Sequence, residues 1–243
     1  MKTRTKTLLT ALTATAALSA GTSQAAIIAG DTIVIDFSKT TAETASTATS
    51  NWNNLTRSTA GFGTDQFPAA GSEQTLITNL VRYSDGANTG VSVTRTGGSG
   101  TAGIGGATIP TQGASASFSV SGVIPDAAQV DVFYADSTSE KLFINGLDDA
   151  LTYDIELMAY INQSRSALDI TVGGTTIEVD PDTTTRIYAY DGISSSGGTI
   201  EISFEGTSLQ HINALELTAV PEPGSLALLG LGGLCMHKRR RRA

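Results

Sequence analysis

The sequence predicts an all-β protein of the sandwich type, and three observations predict it. Between about Asp31 and Ala219 the chain is a succession of short β-branched or aromatic runs broken by Gly, Asn, Asp and Ser, with little 3.6-residue periodicity. Several runs alternate: Ile155, Leu157 and Ala159 against Asp154, Glu156 and Met158, and Ile200, Ile202 and Phe204 against Glu201, Ser203 and Glu205. Such a pattern buries one sheet face and leaves the other wet. Turn residues also stand where a sandwich needs them, with Gly173-Gly174 reading as a two-residue hairpin and Asp191-Gly192 and Gly197-Gly198 as strand breaks.

In chain order, "TIVIDF" (32–37) opens the set with four β-branched residues in a row. "TLITNLVR" (75–82) and "GVSVTR" (90–95) flank the turn-forming "SDGANTG". "ASFSVS" (116–121) alternates Ser with apolar residues, and "KLFING" (141–146) ends on a glycine. "LTYDIELMAY" (151–160) carries the longest alternation; "ALDITVG" (167–173) and "TTIEVD" (175–180) are the arms of the Gly-Gly hairpin. "TRIYAY" (185–190) stops before Asp191-Gly192, "TIEISFEG" (199–206) follows the second glycine pair, and "HINALELTA" (211–219) closes the domain. Eleven strands suffice for two sheets.

Two stretches lack this regularity. Residues 38–74 hold few periodic apolar positions and read as a long connection, where a sandwich would present a binding surface. The glycine-rich "TGGSGTAGIGGATIPTQGA" (96–114) reads as a second loop.

The two ends differ from the middle. Lys2, Arg4 and Lys6, the apolar stretch Leu8 to Ala20 and the small residues before Ala25 have the layout of a signal peptide over residues 1–25, with cleavage after Ala25 or, as second choice, Ala20. Read instead as a membrane-spanning start, the apolar run is too short and threonine-diluted to cross about 30 Å of hydrocarbon. With both ends removed, seven of the fifteen basic residues remain against 22 of the 23 acids, a formal charge of −15. That balance argues against nucleic acid or anionic lipid as partner of the exported middle, 26–219, and suits neutral glycans or divalent cations. The single cysteine, Cys235, lies in the C-terminal apolar run, so the middle has no disulfide, no thiol catalysis and no thiolate metal site. At this length the middle can bury a core without such staples.

The C-terminal segment, 220–243, has three parts. Pro221-Glu222-Pro223 stops a strand, because proline lacks an amide donor and fixes φ. Residues 224–236 are uncharged and rich in Leu, Gly and Ala; as a helix they span only about 20 Å. Lys238, Arg239, Arg240, Arg241 and Arg242 form a basic stop that holds this end in the cytoplasm. This tripartite ending resembles the PEP-CTERM sorting domain. The resemblance implies a short transmembrane sorting helix, recognition by a membrane-embedded exosortase, cleavage near Pro221, Glu222 and Pro223, and delivery to the cell envelope, cell surface or extracellular polysaccharide matrix of a Gram-negative-type bacterium. A C-terminal anchor that is never cut is the simpler alternative, and Cys235 reads as a small apolar residue of the run rather than a lipidation site.

The middle also resembles a known group. The order of "DTIVIDFS", "NWNNLT" (51–56), "VRYSDGANTGVSVT" (81–94), "FINGLDDALTYDIEL" (143–157) and the closing "HINALELT" is similar to galactose-binding-like domains of bacterial surface proteins. That resemblance implies a jelly-roll type of β-sandwich.

Catalytic chemistry finds little purchase. His211 is the one histidine of the middle; it opens the last predicted strand without any nucleophile motif and reads as structural. Zinc catalysis takes about three ligands, mostly His or Cys. Paired carboxylates would serve a glycosidase, yet no spacing singles out a pair, so a non-enzymatic role is expected and a glycan-active enzyme ranks third. No cofactor is required. Calcium is the metal best matched to acidic loops, with Asp85, Asp180 and Asp182 as candidate ligands, although none has EF-hand spacing and turn formation is the better explanation of each. Trp52 and Asn53 in the long connection, and Tyr134 beside Asp136, have the chemistry of a glycan-binding site, but the sole tryptophan of a sandwich reads first as a core plug. The leading expectation is an exported structural or binding component, and the alternative is a carbohydrate-binding module assisted by calcium.

Overall fold

The protein is described by a computed structural model, which covers residues 26–37, 51–55, 73–96, 102–106, 116–135, 140–160, 168–179, 187–205 and 210–222. The predicted signal peptide and the predicted sorting helix with its basic stop lie outside the described residues, as do Asp180, Asp182 and Pro223.

The described chain is all-β apart from one helical turn. The strands are β1 (Thr32–Asp36), β2 (Asn53–Asn54), β3 (Gln74–Ile77), β4 (Ser92–Thr96), β5 (Ala102–Gly106), β6 (Ser117–Phe118) and β7 (Gly122–Val123). After α1 (Asp126–Val130) come β8 (Asp131–Ala135), β9 (Lys141–Asn145), β10 (Leu151–Met158), β11 (Leu168–Val172) and β12 (Thr175–Val179). The last four are β13 (Ile187–Ser194), β14 (Thr199–Glu205), β15 (Gln210–Ile212) and β16 (Ala214–Pro221).

These form a sandwich-like pair of sheets. One has the order β13-β10-β16-β1-β2, the other β12-β11-β14-β9-β4-β3. Within the first, β1 pairs antiparallel with β16 and β10 with β13; within the second, β9 pairs with β14 and β11 with β12. The four pairs are nested in sequence around the β11–β12 hairpin. Gly173 and Gly174 both have positive φ there, the geometry a two-residue hairpin demands.

The core lies between the two sheets because alternate residues of facing strands converge on it. Ile33 and Ile35 of β1, Tyr153, Ile155 and Leu157 of β10 and Leu215 and Leu217 of β16 meet Val93 of β4, Leu142 and Ile144 of β9, and Ile200, Ile202 and Phe204 of β14. A third sheet, β15-β8-β5, also contributes to this core. Its Phe133 reaches in between Phe37 and Phe204, each ring centroid 5.9 Å away.

Five expectations need correction. Asp191-Gly192 does not break the strand: β13 runs on to Ser194 through a bulge in which Asp191 and Gly192 face Asp154 alone. Gly192 takes φ 66 there and donates its N–H to Asp154 Oδ1 at 2.8 Å. Next, "HINALELTA" is two strands, because the chain changes sheets at Asn213. The buried Asn213 side chain receives the Tyr160 N–H at 2.8 Å and donates to Gln129 O at 3.2 Å, so the break in the ladder is bonded on both sides. Finally, part of the glycine-rich stretch is a strand, β5, paired along its length with β8. The expected strand 75–82 ends at Ile77, and 116–121 contains β6 and then a turn.

The outer face of the five-stranded sheet is not wet throughout. Val34, Met158 and Ala214 point away from the main core and form a second one with Trp52, Ala116, Phe118, Ile124 and Ala128. The β6–β7 hairpin and Trp52 therefore lie over that face.

Candidate functional site

The sorting segment leaves the sandwich from a central strand. β16 lies between β10 and β1, and its last residues are opposite β10: Ala219 faces Tyr153, Val220 faces Thr152 and Pro221 faces Leu151. The register with β1 ends earlier, at Thr32 and Thr218. Beyond it, Ala219 donates its N–H to Asp31 O at 2.9 Å and accepts from Gly30 N at 2.8 Å. Ala219 is buried, Val220 half-buried, Pro221 exposed and Glu222 half-buried. Pro221 fits this place because a strand's last, exposed residue loses nothing by lacking a donor.

Turns surround the exit. Asp149 accepts hydrogen bonds from Ser195 Oγ at 2.5 Å and Gly198 N at 2.8 Å, which hold its carboxyl below the usual carboxylate range. Tyr153 Oη receives the Asp148 N–H at 2.8 Å, pinning the loop before β10. Arg82 pairs with Asp31 at 3.2 Å and with Asp85 at 3.2 Å.

The residues expected to bind glycan or metal occupy other places. Trp52 is 5% exposed and stacked against Phe118 at a centroid distance of 6.4 Å, so the indole sits in the second core and offers no open face to a sugar. Asn53 is buried too. Its amide donates to Val34 O at 3.0 Å and Val81 O at 2.9 Å, and its Oδ1 accepts from Val81 N at 2.7 Å, which ties β2 to the turn after β3. Tyr134 is half-buried on β8, in the third sheet, opposite His211 of β15. His211 is 3% exposed. Asp85 caps Ala87 N at 2.9 Å and neutralises Arg82, the work of a turn residue. Among the described residues no group of three or more His, Cys, Asp and Glu is placed to hold a metal ion.

The fold does bring together a pair of carboxylates that no sequence spacing revealed. Glu156 of β10 and Glu216 of β16 are cross-strand partners on the outer face of the five-stranded sheet. Both are capped by one turn of the β6–β7 hairpin. Ser119 gives its N–H to Glu156 Oε2 at 2.7 Å and its hydroxyl to Oε1. Val120 and Ser121 give theirs to Glu216 Oε1 and Oε2 at 3.0 and 2.8 Å. Three consecutive amides thus offset the repulsion of like charges and fasten the hairpin to the sheet.

Comparison with known proteins identifies the segment at the exit. Residues 219–242 match the PEP-CTERM protein-sorting motif. The motif indicates an exported protein sorted to the cell envelope and implies processing by an exosortase. Two similar solved structures are of the exo-β-1,3-galactanase from Phanerochaete chrysosporium. With galactose it is 14% identical, covering 57% of this chain and 36% of that chain at a TM-score of 0.26. A variant of it with β-1,3-galactotriose is 12% identical over the same shares at 0.27. The match thus spans 36% of that enzyme. No curated protein matches the chain.

Proposed function

We propose that this protein is a non-catalytic surface component: an acidic jelly-roll domain, residues 26–219, delivered by its signal peptide and held briefly at the inner membrane by residues 224–242. After the cut near Pro221 it stays at the cell surface or within the extracellular polysaccharide. The observation that carries the reading is the sorting motif at 219–242, entered directly from the last strand of a sandwich.

The jelly-roll reading draws on the nested pairs β1–β16, β9–β14, β10–β13 and β11–β12. A long hairpin folded over and wrapped into two sheets produces that nesting. The non-catalytic reading draws on Glu156 and Glu216. Their oxygens accept main-chain hydrogen bonds that fix a hairpin, and a carboxylate so engaged is poorly placed to move a proton or attack a sugar.

Mass spectrometry of the protein recovered from its native envelope tests the proposal. The expected mature chain begins at Ala26 or Gly21 and ends close to Pro221. An uncut polypeptide in the cytosol, retaining both ends, refutes it.

A further inference from the structure

We infer that folding and sorting share residues: the motif is read in the open state of the end of β16, so the sheet corner at Leu151 and Pro221 sets the rate of processing. This rests on the exosortase reading above and goes beyond it.

The sorting match begins at residue 219, whereas β16 ends at Pro221. Residues 219–221 therefore belong to both, and no spacer separates the motif from the folded domain. Successive amides of a strand point to opposite sides. Since the Ala219 N–H and C=O bond to Asp31 and Gly30 on the β1 side, those of Val220 face Thr152 on β10. A protease that takes its substrate as an extended strand needs these same backbone groups. They are available only when the segment opens locally.

The structure also limits how far opening proceeds. Val220 and Pro221 have a strand neighbour on one side, and their exposure means little apolar surface is lost by peeling them away. Ala219 is bonded twice on the β1 side and flanked by Tyr153 of β10 on the other, and behind it Leu217 is in the core. Peeling stops there. The cut consequently falls on the C-terminal side of Ala219, and the sandwich survives it with β16 intact between β10 and β1.

The test uses the full chain produced beside an active exosortase, in three forms: unaltered, with a six-residue Gly-Ser insertion between Val220 and Pro221, and with the same insertion between Gly173 and Gly174. Pulse-chase measures the processed fraction. The insertion after Val220 is expected to speed processing roughly three- to ten-fold, the population change that freeing one net hydrogen bond produces, and the hairpin insertion to leave it unchanged. Equal or slower processing of the first insertion overturns the inference. Hydrogen exchange of the full chain in detergent micelles gives a readout free of the enzyme. The Val220 amide should be protected, less than that of Leu217; exchange at the free-peptide rate overturns the shared strand. If none of the three chains is cut, the exosortase reading fails, and the Val220 amide still decides whether β16 holds the motif.

Discussion

Arg95 and Glu140 form a bidentate ion pair inside the protein, Nε to Oε1 at 2.6 Å and Nη2 to Oε2 at 3.1 Å, with both side chains 2% exposed. Arg95 occupies an inward-facing position of β4, opposite Leu142, where the alternation calls for an apolar residue. Gln74 Oε1 accepts from Nη1 at 3.3 Å, so the guanidinium ties β3, β4 and the start of β9 together. Glu140→Ala removes the bidentate partner of a buried guanidinium and should cost about 3–5 kcal/mol in urea unfolding. The double replacement Arg95→Met with Glu140→Leu should recover most of that loss, because the desolvation penalty of both ions disappears with them.

The Glu216 clamp should be visible through Trp52. Glu216→Ala strands the Val120 and Ser121 amides and should destabilise by about 1–3 kcal/mol. Trp52 is the single tryptophan of the chain and stacks on Phe118 of the clamped hairpin. Its fluorescence should shift to the red at denaturant concentrations below the main transition, as the hairpin lifts before the sandwich unfolds. Coincident transitions would show that hairpin and sandwich unfold as one unit.

Alkaline pH should weaken the fold through Tyr190. Burial pushes its hydroxyl well above the ordinary tyrosine value, and its O–H donates to Ile170 O at 2.9 Å across the two sheets. The folded state favours the neutral phenol, so its contribution is complete below the ordinary value of 10.0 and is lost as pH rises from there through the raised one. Tyr153, also raised mainly by burial, acts in the same direction. Tyr190→Phe should cost about 1 kcal/mol at neutral pH and flatten the fall in stability above pH 10, followed by thermal unfolding against pH.

A row of like charges crosses the six-stranded sheet. Asp169 of β11 is opposite Glu178 of β12 on one side and Glu205 of β14 on the other, all three exposed. Asp169→Lys converts two repulsions into attractions and should stabilise by about 0.5–1 kcal/mol. The gain should shrink as salt is raised toward 1 M, measured as the shift in Tm at each ionic strength.

Most strands were legible where one sheet face is wet. Ile200, Ile202 and Phe204 are buried while Glu201 and Ser203 are half-exposed and Glu205 is exposed, as period-two alternation predicts. β8 is not legible in the sequence because "DVFYA" is short and follows a helical turn. Nor is β5, because "AGIGG" has the composition of a loop, and pairing along β8 outweighs its weak propensity. Met158 falls on the polar face of its strand yet is fully buried, since residues 116–124 arrive from elsewhere in the chain to cover it.

The sequence by itself determined the β class, the Gly173-Gly174 hairpin and the sorting segment, because each depends on neighbours a few residues apart: side-chain period, glycine φ, and the order Pro-Glu-Pro, apolar run, basic stop. Tertiary structure decided that Trp52 is a core residue, that Glu156 and Glu216 become partners sixty residues apart in sequence, and that Pro221 is still part of a strand. Those outcomes depend on which distant segment supplies hydrogen bonds and apolar cover, and in a fold of nested long-range pairs that segment is set by the closing of the whole sheet.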